Sequence, residues 1–421
     1  MAMLLQTILN HCYKFKSFVY KNIYFEEDSK KGQKLIVEIE SRLNGQALCS
    51  KCQKPSSRYG KMPKPRDFRF IPIWGIPVFF RYHRRRVNCP THGVVAEWLP
   101  WAEGNSPLTI ALKLYLASWA KHLSWQTVAE LFSVTWTNVF ASVEYVVEFG
   151  LKHRCLDGIK AIGIDEIQYR LGHQYLTLVY QIDDGSRRLL YIAKDRSEES
   201  LRGFFEMLGE TRSQLLEAVC SDMWKPYLNV IAEMASKAIN ILDRFHIMKK
   251  FNEAIDNVRR KEARQLEEDG YEPILKNSRW LLLKNPAKQK ASQLAKLAEL
   301  LKYNLKTVRA YLLKQAFQQF WQYTSVYWAE QFLKQWTKRA MYSKIDEIKA
   351  VARMLRTHQH LILNWFETKE RLSNGIVEGF NNKAKLTMKK AYGFKQYKTL
   401  RIALYHQLGN LSMPELAHKF F

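Results

Sequence analysis

The chain has 421 residues, which is too long for one ordinary hydrophobic core, so two to four domains are expected. Hydrophobic residues make up 47% and charged residues 25%, as in ordinary globular proteins; six cysteines are too few for a disulfide scaffold, and no run of about 18 apolar residues predicts a membrane span. The net charge of +26 favours a polyanionic partner, nucleic acid first and an anionic membrane second, over a merely basic surface.

Residues 1–104 are predicted to form a β-rich domain. The stretches "SFVYKNIYF" and "KLIVEIESR" flank a charged turn and predict a β-hairpin between residues 13 and 43, and a second β-rich stretch follows at 66–89. The opening "MAMLLQTILNHCYKF" has too short an apolar run for a signal peptide, so the cytoplasm is the expected compartment.

Two pairs of candidate metal ligands lie in this domain. Cys49 and Cys52 are separated by two residues, as are Cys89 and His92. Each pair can converge on one ion, and two such pairs complete the tetrahedral shell of structural zinc. The spacing therefore predicts a zinc ribbon, with four unrelated residues as the alternative.

Basic residues crowd the segment before the second metal pair. Arg84, Arg85 and Arg86 follow Trp74 and Phe80 closely in the sequence. This mixture predicts a surface that binds the DNA backbone, although a solvated strand edge would also use cations.

A helical pattern covers residues 105–155. The stretches "SWQTVAELFSV" and "TWTNVFASVEYVVEFGL" predict two helices joined by a short turn, as in a helix-turn-helix. Because the start of the second helix enters the major groove in that motif, Thr135, Trp136 and Asn138 are candidate base readers. Packing or helix capping is the alternative for each.

Five apolar runs of strand length lie between residues 156 and 249. Their sequences are "IKAIGID", "YLTLVYQID", "RLLYIAKD", "LEAVCSD" and "KAINILD". The first three follow one another closely, whereas helical stretches precede and separate the last two. This order predicts a mixed α/β sheet.

Asp165 ends the first of these runs and Asp222 ends the fourth. If those two strands lie side by side in a mixed sheet, both carboxylates occupy neighbouring carboxyl ends. Such oxygen ligands suit magnesium, and two ions would clamp the oxygens of an in-line phosphoryl displacement. The alternative is that each Asp is a solvated turn residue.

The predicted magnesium site needs a third carboxylate. Glu166 is a local candidate, but in a strand it points to the face opposite Asp165. Asp243 either joins the cluster with His246 or caps the helix that follows, and capping is the favoured interpretation.

Residues 250–370 carry almost no strand signal. They are predicted to form an all-helical insertion that includes a long amphipathic helix around 288–313.

Glu378 stands in the basic segment "SNGIVEGFNNKAKLTMKKAYGFKQY". A helical wheel gathers five polar residues opposite an apolar side: Glu378, Asn381, Asn382, Lys385 and Lys389. Ser373 or Asn374 is predicted to cap this helix. We expect Glu378 to bind metal and the amides and lysines to contact DNA, because a merely solvated helix surface usually pairs Glu with Lys.

Together these segments resemble the DDE transposases of the ISL-three family of bacterial insertion sequences. "CSKC" and "NCPTHGVVAEWLPW" are similar to that family's zinc ribbon, and "LSWQTVAELFSVTWTNV" to its helix-turn-helix. "AIGIDEI", "VCSDMWKPY" and "SNGIVEGFNNKAKLTMKKAYGF" resemble the blocks with the catalytic residues, here Asp165, Asp222 and Glu378, and Lys385 matches a basic residue two turns on. His92 departs from the fourth cysteine of many relatives, an exchange that zinc tolerates.

The resemblance implies an α+β multidomain fold. A zinc ribbon would occupy residues 1–104 and a helix-turn-helix residues 105–155. A ribonuclease H-like α/β catalytic domain would comprise 156–249 and 371–421 with its C-terminal helices, interrupted by the all-helical insertion at 250–370.

The resemblance also implies an enzyme of DNA transposition. It would bind the terminal inverted repeats of its insertion sequence, cleave DNA with two magnesium or manganese ions, and join the 3′-hydroxyl ends to target DNA. Its partner is double-stranded DNA, its expected state a homodimer or larger, and its place the bacterial cytoplasm, at the nucleoid when bound. The alternatives are a metal-dependent nuclease without joining and a DNA-binding regulator.

Overall fold

The computed structural model describes residues 2–28, 32–170, 172–368, 375–390, 394 and 396–415. The chain divides into two compact units, one from residues 1–155 and 384–421 and the other from residues 156–383. Within the described ranges no helix is both long and apolar enough to cross a membrane. The five-segment domain division stays a prediction.

Unit 1 begins with one helix and two β-sheets. In chain order these elements are α1 Ala2–Cys12, β1 Phe18–Asp28, β2 Gly32–Ser41, β3 Ser57–Lys61, β4 Arg66–Ile73, β5 Ile76–Tyr82, β6 Arg85–Cys89 and β7 Gly93–Ala96. The sheets have the orders β1-β2-β5-β4 and β3-β6-β7. Antiparallel pairing of β1 with β2 confirms the predicted hairpin, whose turn at 29–31 lies outside the described residues.

Three helices follow the sheets: α2 Ile110–His122, α3 Trp125–Leu131 and α4 Trp136–His153. Side-chain hydroxyls cap all three, from Thr109, Ser124 and Thr135. The Arg69 guanidinium of β4 donates to the carbonyls of Phe132 and Ser133, both at 2.7 Å. A strand of the first sheet therefore holds the turn between α3 and α4.

Unit 2 contains one five-stranded sheet. Its strands are β8 Ala161–Arg170, β9 Gln174–Asp183, β10 Ser186–Lys194, β11 Ala218–Ser221 and β12 Ile239–Leu242, in the order β10-β9-β8-β11-β12. β8, β9 and β10 pair antiparallel, whereas β11 lies parallel to both β8 and β12. The predicted meander followed by strands that alternate with helices is confirmed.

Short helices cover one face of this sheet. They are α5 Glu198–Leu208, α6 Glu210–Ser213 and α7 Lys225–Met234. Phe204 of α5 and Tyr227 of α7 join Ile162 and Val219 of the sheet in one buried cluster. β11 is buried at every position, as expected for a central strand of a sheet whose parallel strands are covered on both faces.

The described chain between Arg244 and Glu367 forms only helices as regular elements, as predicted. They are α8 Arg244–Glu268, α9 Arg279–Leu283, α10 Ala291–Leu300, α11 Lys306–Gln318, α12 Val326–Met341, α13 Asp346–Thr357 and α14 Gln359–Glu367, with two short 3₁₀ turns. Rings of Phe251, Phe317 and Trp336 pack against one another at centroid distances of 4.8 to 5.3 Å and join helices α8, α11 and α12.

The single long helix predicted around 288–313 is wrong. α10 ends at Leu300 and α11 begins at Lys306. The carboxylate of Glu262, on α8, accepts the N–H groups of Lys306 and Thr307 at 2.7 and 2.8 Å and so caps the start of α11. This contact spans 44 residues, and local periodicity cannot reveal it.

Two further helices are α15 Gly375–Lys390 and α16 Tyr397–Leu408. The predicted caps of α15, Ser373 and Asn374, lie outside the described residues.

Candidate functional site

The two candidate aspartates belong to neighbouring parallel strands: Asp165 lies within β8, and Asp222 directly follows β11. The last pair between β8 and β11 is Gly163 with Cys220. Asp165 lies two residues beyond Gly163 and Asp222 two residues beyond Cys220, so the two positions are level. The prediction that Asp165 closes its strand is wrong, because β8 continues to Arg170 by pairing with β9 alone.

Asp165 is held by a residue of α15. Its Oδ2 accepts a hydrogen bond from Asn381 Nδ2, and the Asn381 Oδ1 accepts one from the Tyr180 hydroxyl of β9 at 2.9 Å. Tyr180 is fully buried and only 6% of Asn381 is exposed. Because Tyr180 donates to Oδ1, the amide is oriented with its Nδ2 toward Asp165.

A glycine lets α15 approach β8 closely. A Cβ atom at Gly163 would collide with a methyl group of Val377, which is fully buried. Phe380 of the same helix stacks on the ring of Tyr180 at a centroid distance of 4.8 Å. The helix is thus fixed on the sheet beside Asp165.

Asp222 is held by a different set of groups. Its Oδ1 accepts the backbone N–H of Trp224 at 2.9 Å, and its Oδ2 lies 2.8 Å from the guanidinium of Arg196. Arg196 also pairs with Glu166 at 2.9 Å and lies over the Trp224 ring. One guanidinium therefore joins Glu166 to Asp222.

Asp243 and His246 lie at the same edge of the sheet. Asp243 caps α8 through the N–H of Phe245 at 2.7 Å, as predicted, and its other oxygen lies 2.7 Å from His246 Nδ1. His246 Nε2 lies 4.0 Å from Asp165 Oδ1. His246 thus connects the capping carboxylate with Asp165.

The charges of these groups act on one another. Burial raises the pKa of Asp165, and the charges of Asp243 and Asp222 add to this rise, while His246 and the Glu166 N–H oppose it. Burial and the charge of Asp222 raise the pKa of Glu166 to about 7. Burial would lower the pKa of His246, but its hydrogen bond to Asp243 and the three aspartate charges raise it. A bound cation would relieve such a cluster of carboxylates.

Glu378 lies on α15, three residues before Asn381, and is exposed. Within the described part of the chain, one group of three or more potential ligands has all its donor atoms within 4.8 Å, and it lies in unit 1. The structure therefore brings Asp165 and Asp222 to one sheet edge, without drawing all three carboxylates into contact.

The group in unit 1 is the predicted metal knuckle of Cys49, Cys52, Cys89 and His92. Cys89 ends β6 and His92 lies in the turn before β7, while Cys49 and Cys52 flank a turn beside β7. Burial opposes ionisation of Cys89, but hydrogen bonds from His92 and the backbone at Thr91 lower its thiol pKa to about 6. Thiolate formation there favours metal binding.

The spacing of the four donors fits a tetrahedral ion. The Sγ atoms of Cys52 and Cys89 lie 3.7 Å apart, and His92 Nδ1 lies 3.7 Å from Cys49 and 3.6 Å from Cys89. Tetrahedral zinc with its usual bond lengths requires about 3.8 Å between sulfurs and about 3.6 Å between sulfur and nitrogen. The residues present therefore suit one structural zinc ion.

Comparison with known proteins decides the family. Residues 162–404, a span that includes Asp165, Asp222 and Glu378, match the model of a family described as transposase, the DDE transposases of the ISL-three type. The chain belongs to this transposase family. Over 80% of its length it is 31% identical to the transposase for insertion sequence element IS1001 of Bordetella parapertussis, of which 83% is covered. Over 91% of its length it is 30% identical to the transposase for insertion sequence element IS1557 of Mycobacterium tuberculosis, of which 91% is covered.

Two of the predicted DNA-binding arginines of this transposase are buried. Arg84 donates to the carbonyl of Glu97, and Arg85 pairs with the carboxylate of Glu97 at 2.7 Å, with 8% and 2% of the two arginines exposed. The prediction of surface roles for Arg84 and Arg85 is therefore wrong, because the buried Glu97 requires their charge and hydrogen bonds. Arg86 is exposed and lies over the Tyr59 ring.

The predicted exposure of Asn381 is also wrong. The wheel placed it on the outward face, but its buried neighbours on α15 are Val377 and Ala384, at the i, i+4 and i+7 spacing of a core stripe. Asn382, Lys385 and Lys389 are exposed, as predicted.

The three candidate base readers differ in their surroundings. Thr135 caps α4 by accepting the N–H of Asn138, and Asn138 itself is half-buried. Trp136 is 39% exposed and stacks on Phe140. Of the alternatives to base reading, helix capping is therefore observed for Thr135. Base reading by any of the three residues stays a prediction.

Sequence reasoning missed Arg196 and Tyr180 and left His246 as an option. One signal was present: β8 and β10 both lie antiparallel to β9, so β8, β10, β11 and β12 all end at one sheet edge. Arg196 follows β10 as Asp222 follows β11. Tyr180, by contrast, looks like any core residue of an apolar strand.

Proposed function

We propose that this transposase cleaves DNA at the ends of its insertion sequence and joins the 3′-hydroxyl ends to target DNA, using Asp165, Asp222 and Glu378 with two divalent ions. The observation that carries the proposal is the level placement of Asp165 in β8 and Asp222 directly after the adjacent parallel strand β11, with α15 fixed beside them. Family membership supports the same reaction class.

The residues present fit such ions. Carboxylate oxygens are the ligands that magnesium prefers, and the mutual effect of these acids on their pKa values favours a cation between them. Asp165, Asp222 and Glu378 would hold the ions, with Glu378 supplied from α15. When bound, two such ions activate the attacking oxygen and stabilise the leaving oxygen of an in-line displacement.

Other residues prepare the site. Asn381 orients Asp165, and Arg196 orients Asp222 while neutralising part of the acidic charge. The exposed Asn382, Lys385 and Lys389 would contact DNA phosphates along α15. Water first frees a 3′-hydroxyl, which then attacks the target phosphodiester without a covalent enzyme intermediate.

The strand order supports a ribonuclease H-like catalytic domain built from 156–249 and 371–421 around the helical insertion at 250–370. Three antiparallel strands followed by two parallel ones carry the acids at one edge. The predicted third acid arrives only after the insertion, which accounts for its distance along the chain from Asp222.

End recognition is assigned to unit 1. A zinc ribbon held by the four-ligand knuckle and a helix-turn-helix made by α3 and α4 would bind the terminal inverted repeats, with Arg86 on the backbone and Trp136 and Asn138 near bases. The partner is double-stranded DNA at the bacterial nucleoid, and bringing two ends together requires a dimer or larger.

The test combines the protein, magnesium, a duplex with the element's end, and a target plasmid. The proposal predicts cleavage at the end followed by a joined product that depends on the divalent ion. Cleavage without joining would instead support a nuclease, and binding without either reaction would support a regulator.

A further inference from the structure

A basic groove lies in the helical part of unit 2, outside the candidate active site. It has a volume of about 740 Å³ and lies between α11 and α12. Its lining residues are Arg309, Leu312, Leu313, Gln335, Lys338, Arg339, Tyr342, Ser343 and Lys344. We name it the α11–α12 groove.

Helical spacing builds its two walls. Gln335, Lys338 and Arg339 of α12 and its C-cap residue Tyr342 stand at i, i+3, i+4 and i+7 and so share one face, and all four are exposed. Arg309 and Leu312 of α11, also exposed, form the opposite wall.

A buried hydrogen bond fixes the floor of the groove. The indole N–H of Trp336 donates to the Leu313 carbonyl at 2.9 Å, and only 4% of Trp336 is exposed. The two walls are therefore held at a fixed separation before any partner binds, which lowers the entropic cost of binding.

The charge of the groove has one sign. Four cations line it and no carboxylate does. Within the described residues, none of these cations forms an ion pair, whereas nearby cations on the same helical region do: Lys334 with Glu330 at 2.9 Å and Lys349 with Asp346 at 3.0 Å.

Helix termini account for only part of this charge. Lys338 and Arg339 lie in the last turn of α12, where cations stabilise the helix dipole. Arg309 is near the start of α11, where a cation gains nothing from that dipole, and Lys344 lies beyond the end of α12. A partner with regularly spaced negative charges would explain the positions of all four cations.

We propose that the α11–α12 groove binds the phosphate backbone of double-stranded DNA, independently of base sequence. The inference rests on the proposed function in one respect, that DNA is the substrate. Phosphates would lie between Arg309 and the cations of α12, with Gln335 able to donate a further hydrogen bond. The exposed Tyr342 and Leu312 would contact the sugars.

The test is the salt dependence of binding to a duplex of arbitrary sequence. The variant R309Q/K338Q/R339Q/K344Q is compared with wild-type protein by titration at several salt concentrations. If each cation meets one phosphate, the slope of log K against log salt becomes shallower by about 3 to 4 in the variant, and affinity at low salt falls accordingly.

A matched control removes the same charge elsewhere. The variant K261Q/K302Q/K334Q/K349Q replaces four lysines of the same helical region that pair with Glu347, Glu299, Glu330 and Asp346. We expect its slope to stay close to wild type. If the slope became equally shallow in both variants, net charge would explain the binding and the inference would be overturned. An unchanged slope in the groove variant would also overturn it.

Two further readouts separate this inference from the proposed reaction. The groove variant is expected to bind an RNA duplex and a DNA duplex equally poorly; selective loss of RNA binding would overturn the choice of DNA. If an Asp165→Asn protein binds DNA with the wild-type salt slope, the inference about the groove stands even if the cleavage proposal fails.

Discussion

The fold changes the role that the sequence predicted for Asn381. The sequence placed it among the DNA contacts, because its neighbours on the wheel are Glu378 and Lys385. In the structure it is buried between Tyr180 and Asp165, with a hydrogen bond to each. We therefore infer that Asn381 positions Asp165.

We predict that Asn381→Ala lowers the DNA cleavage rate by about tenfold to a hundredfold at saturating DNA, the usual effect of removing an outer partner of a metal ligand. DNA affinity should stay unchanged because Asn381 is buried. Tyr180→Phe, which keeps the ring stacked on Phe380, should give a smaller loss of rate.

Asn382→Ala is the matched control, since the neighbouring amide is exposed. It should weaken DNA binding and leave the saturated rate intact. The assignment fails if Asn381→Ala weakens binding while the rate stays at the wild-type value.

The Arg85–Glu97 pair provides a second residue-scale prediction. Glu97 is fully buried and accepts hydrogen bonds from Tyr82, the Arg85 backbone and the Arg85 side chain. Arg85→Met leaves a buried carboxylate without its cation, so the free energy of unfolding should fall by about 3 to 5 kcal/mol. Urea unfolding measures this change.

Arg86→Gln serves as the comparison, because Arg86 is exposed one residue further on. Its free energy of unfolding should stay within about 0.5 kcal/mol of wild type. An Arg85→Met protein as stable as wild type would show that Glu97 gains little from this pair.

At the scale of elements, local signals were reliable. The strand runs, the Thr135 cap and the cap at Asp243 follow from chemistry within a few residues, and the structure agrees. The break between α10 and α11 depends on Glu262, which is distant in sequence. Such contacts leave no periodic trace, so the sequence predicted one continuous helix.

The metal knuckle is an element-scale case in which spacing alone sufficed. Two short ligand pairs were predicted to converge, and the structure brings all four donors together. We predict one zinc ion per chain by elemental analysis, and loss of that ion in Cys49→Ser with a weaker affinity for element ends.

Cys155→Ser is the control, because Cys155 is exposed and lies outside the knuckle. It should retain the wild-type zinc content. Wild-type zinc content in Cys49→Ser would exclude the assigned ligand set.

At the scale of the whole molecule, a buried histidine should make stability depend on pH. His406 of α16 is 6% exposed, and burial with the nearby Lys121 charge lowers its pKa to about 3. The unfolded chain takes up that proton near pH 6.5, so the stabilising contribution is complete above about pH 6.5 and is lost as pH falls toward about 3.

We predict that this one group costs about 2 kcal/mol of unfolding free energy at about pH 5 relative to neutral pH. His406→Leu should remove that part of the pH dependence in urea unfolding at the two pH values. His11→Gln, at an exposed position, should keep the wild-type dependence. Identical pH profiles for wild type and His406→Leu would contradict the assignment.

Across the molecule, the sequence predicted elements better than environments. Asp165 and Asp222 could be placed together because their two strands were predicted to be neighbours in a mixed sheet, although β8 continues past Asp165. The burial of Arg84, Arg85 and Asn381 could not be predicted, because it depends on which carbonyl, carboxylate or hydroxyl each side chain meets elsewhere in the fold. For the same reason Arg196 could not be identified from the sequence, since one of its carboxylate partners lies in β8 and the other directly follows β11.

We propose that Asp165, Asp222 and Glu378 act as one set, and a substitution of Glu378 is the sharpest test because this residue is exposed and contributed by a helix. The measurement is magnesium-dependent cleavage and joining by Glu378→Gln at saturating end DNA, beside Glu166→Gln, which alters the other nearby glutamate. We predict that Glu378→Gln binds DNA normally but that both of its reactions fall to the background seen without protein, whereas Glu166→Gln retains activity. Wild-type cleavage by Glu378→Gln, or its loss in Glu166→Gln alone, would contradict it.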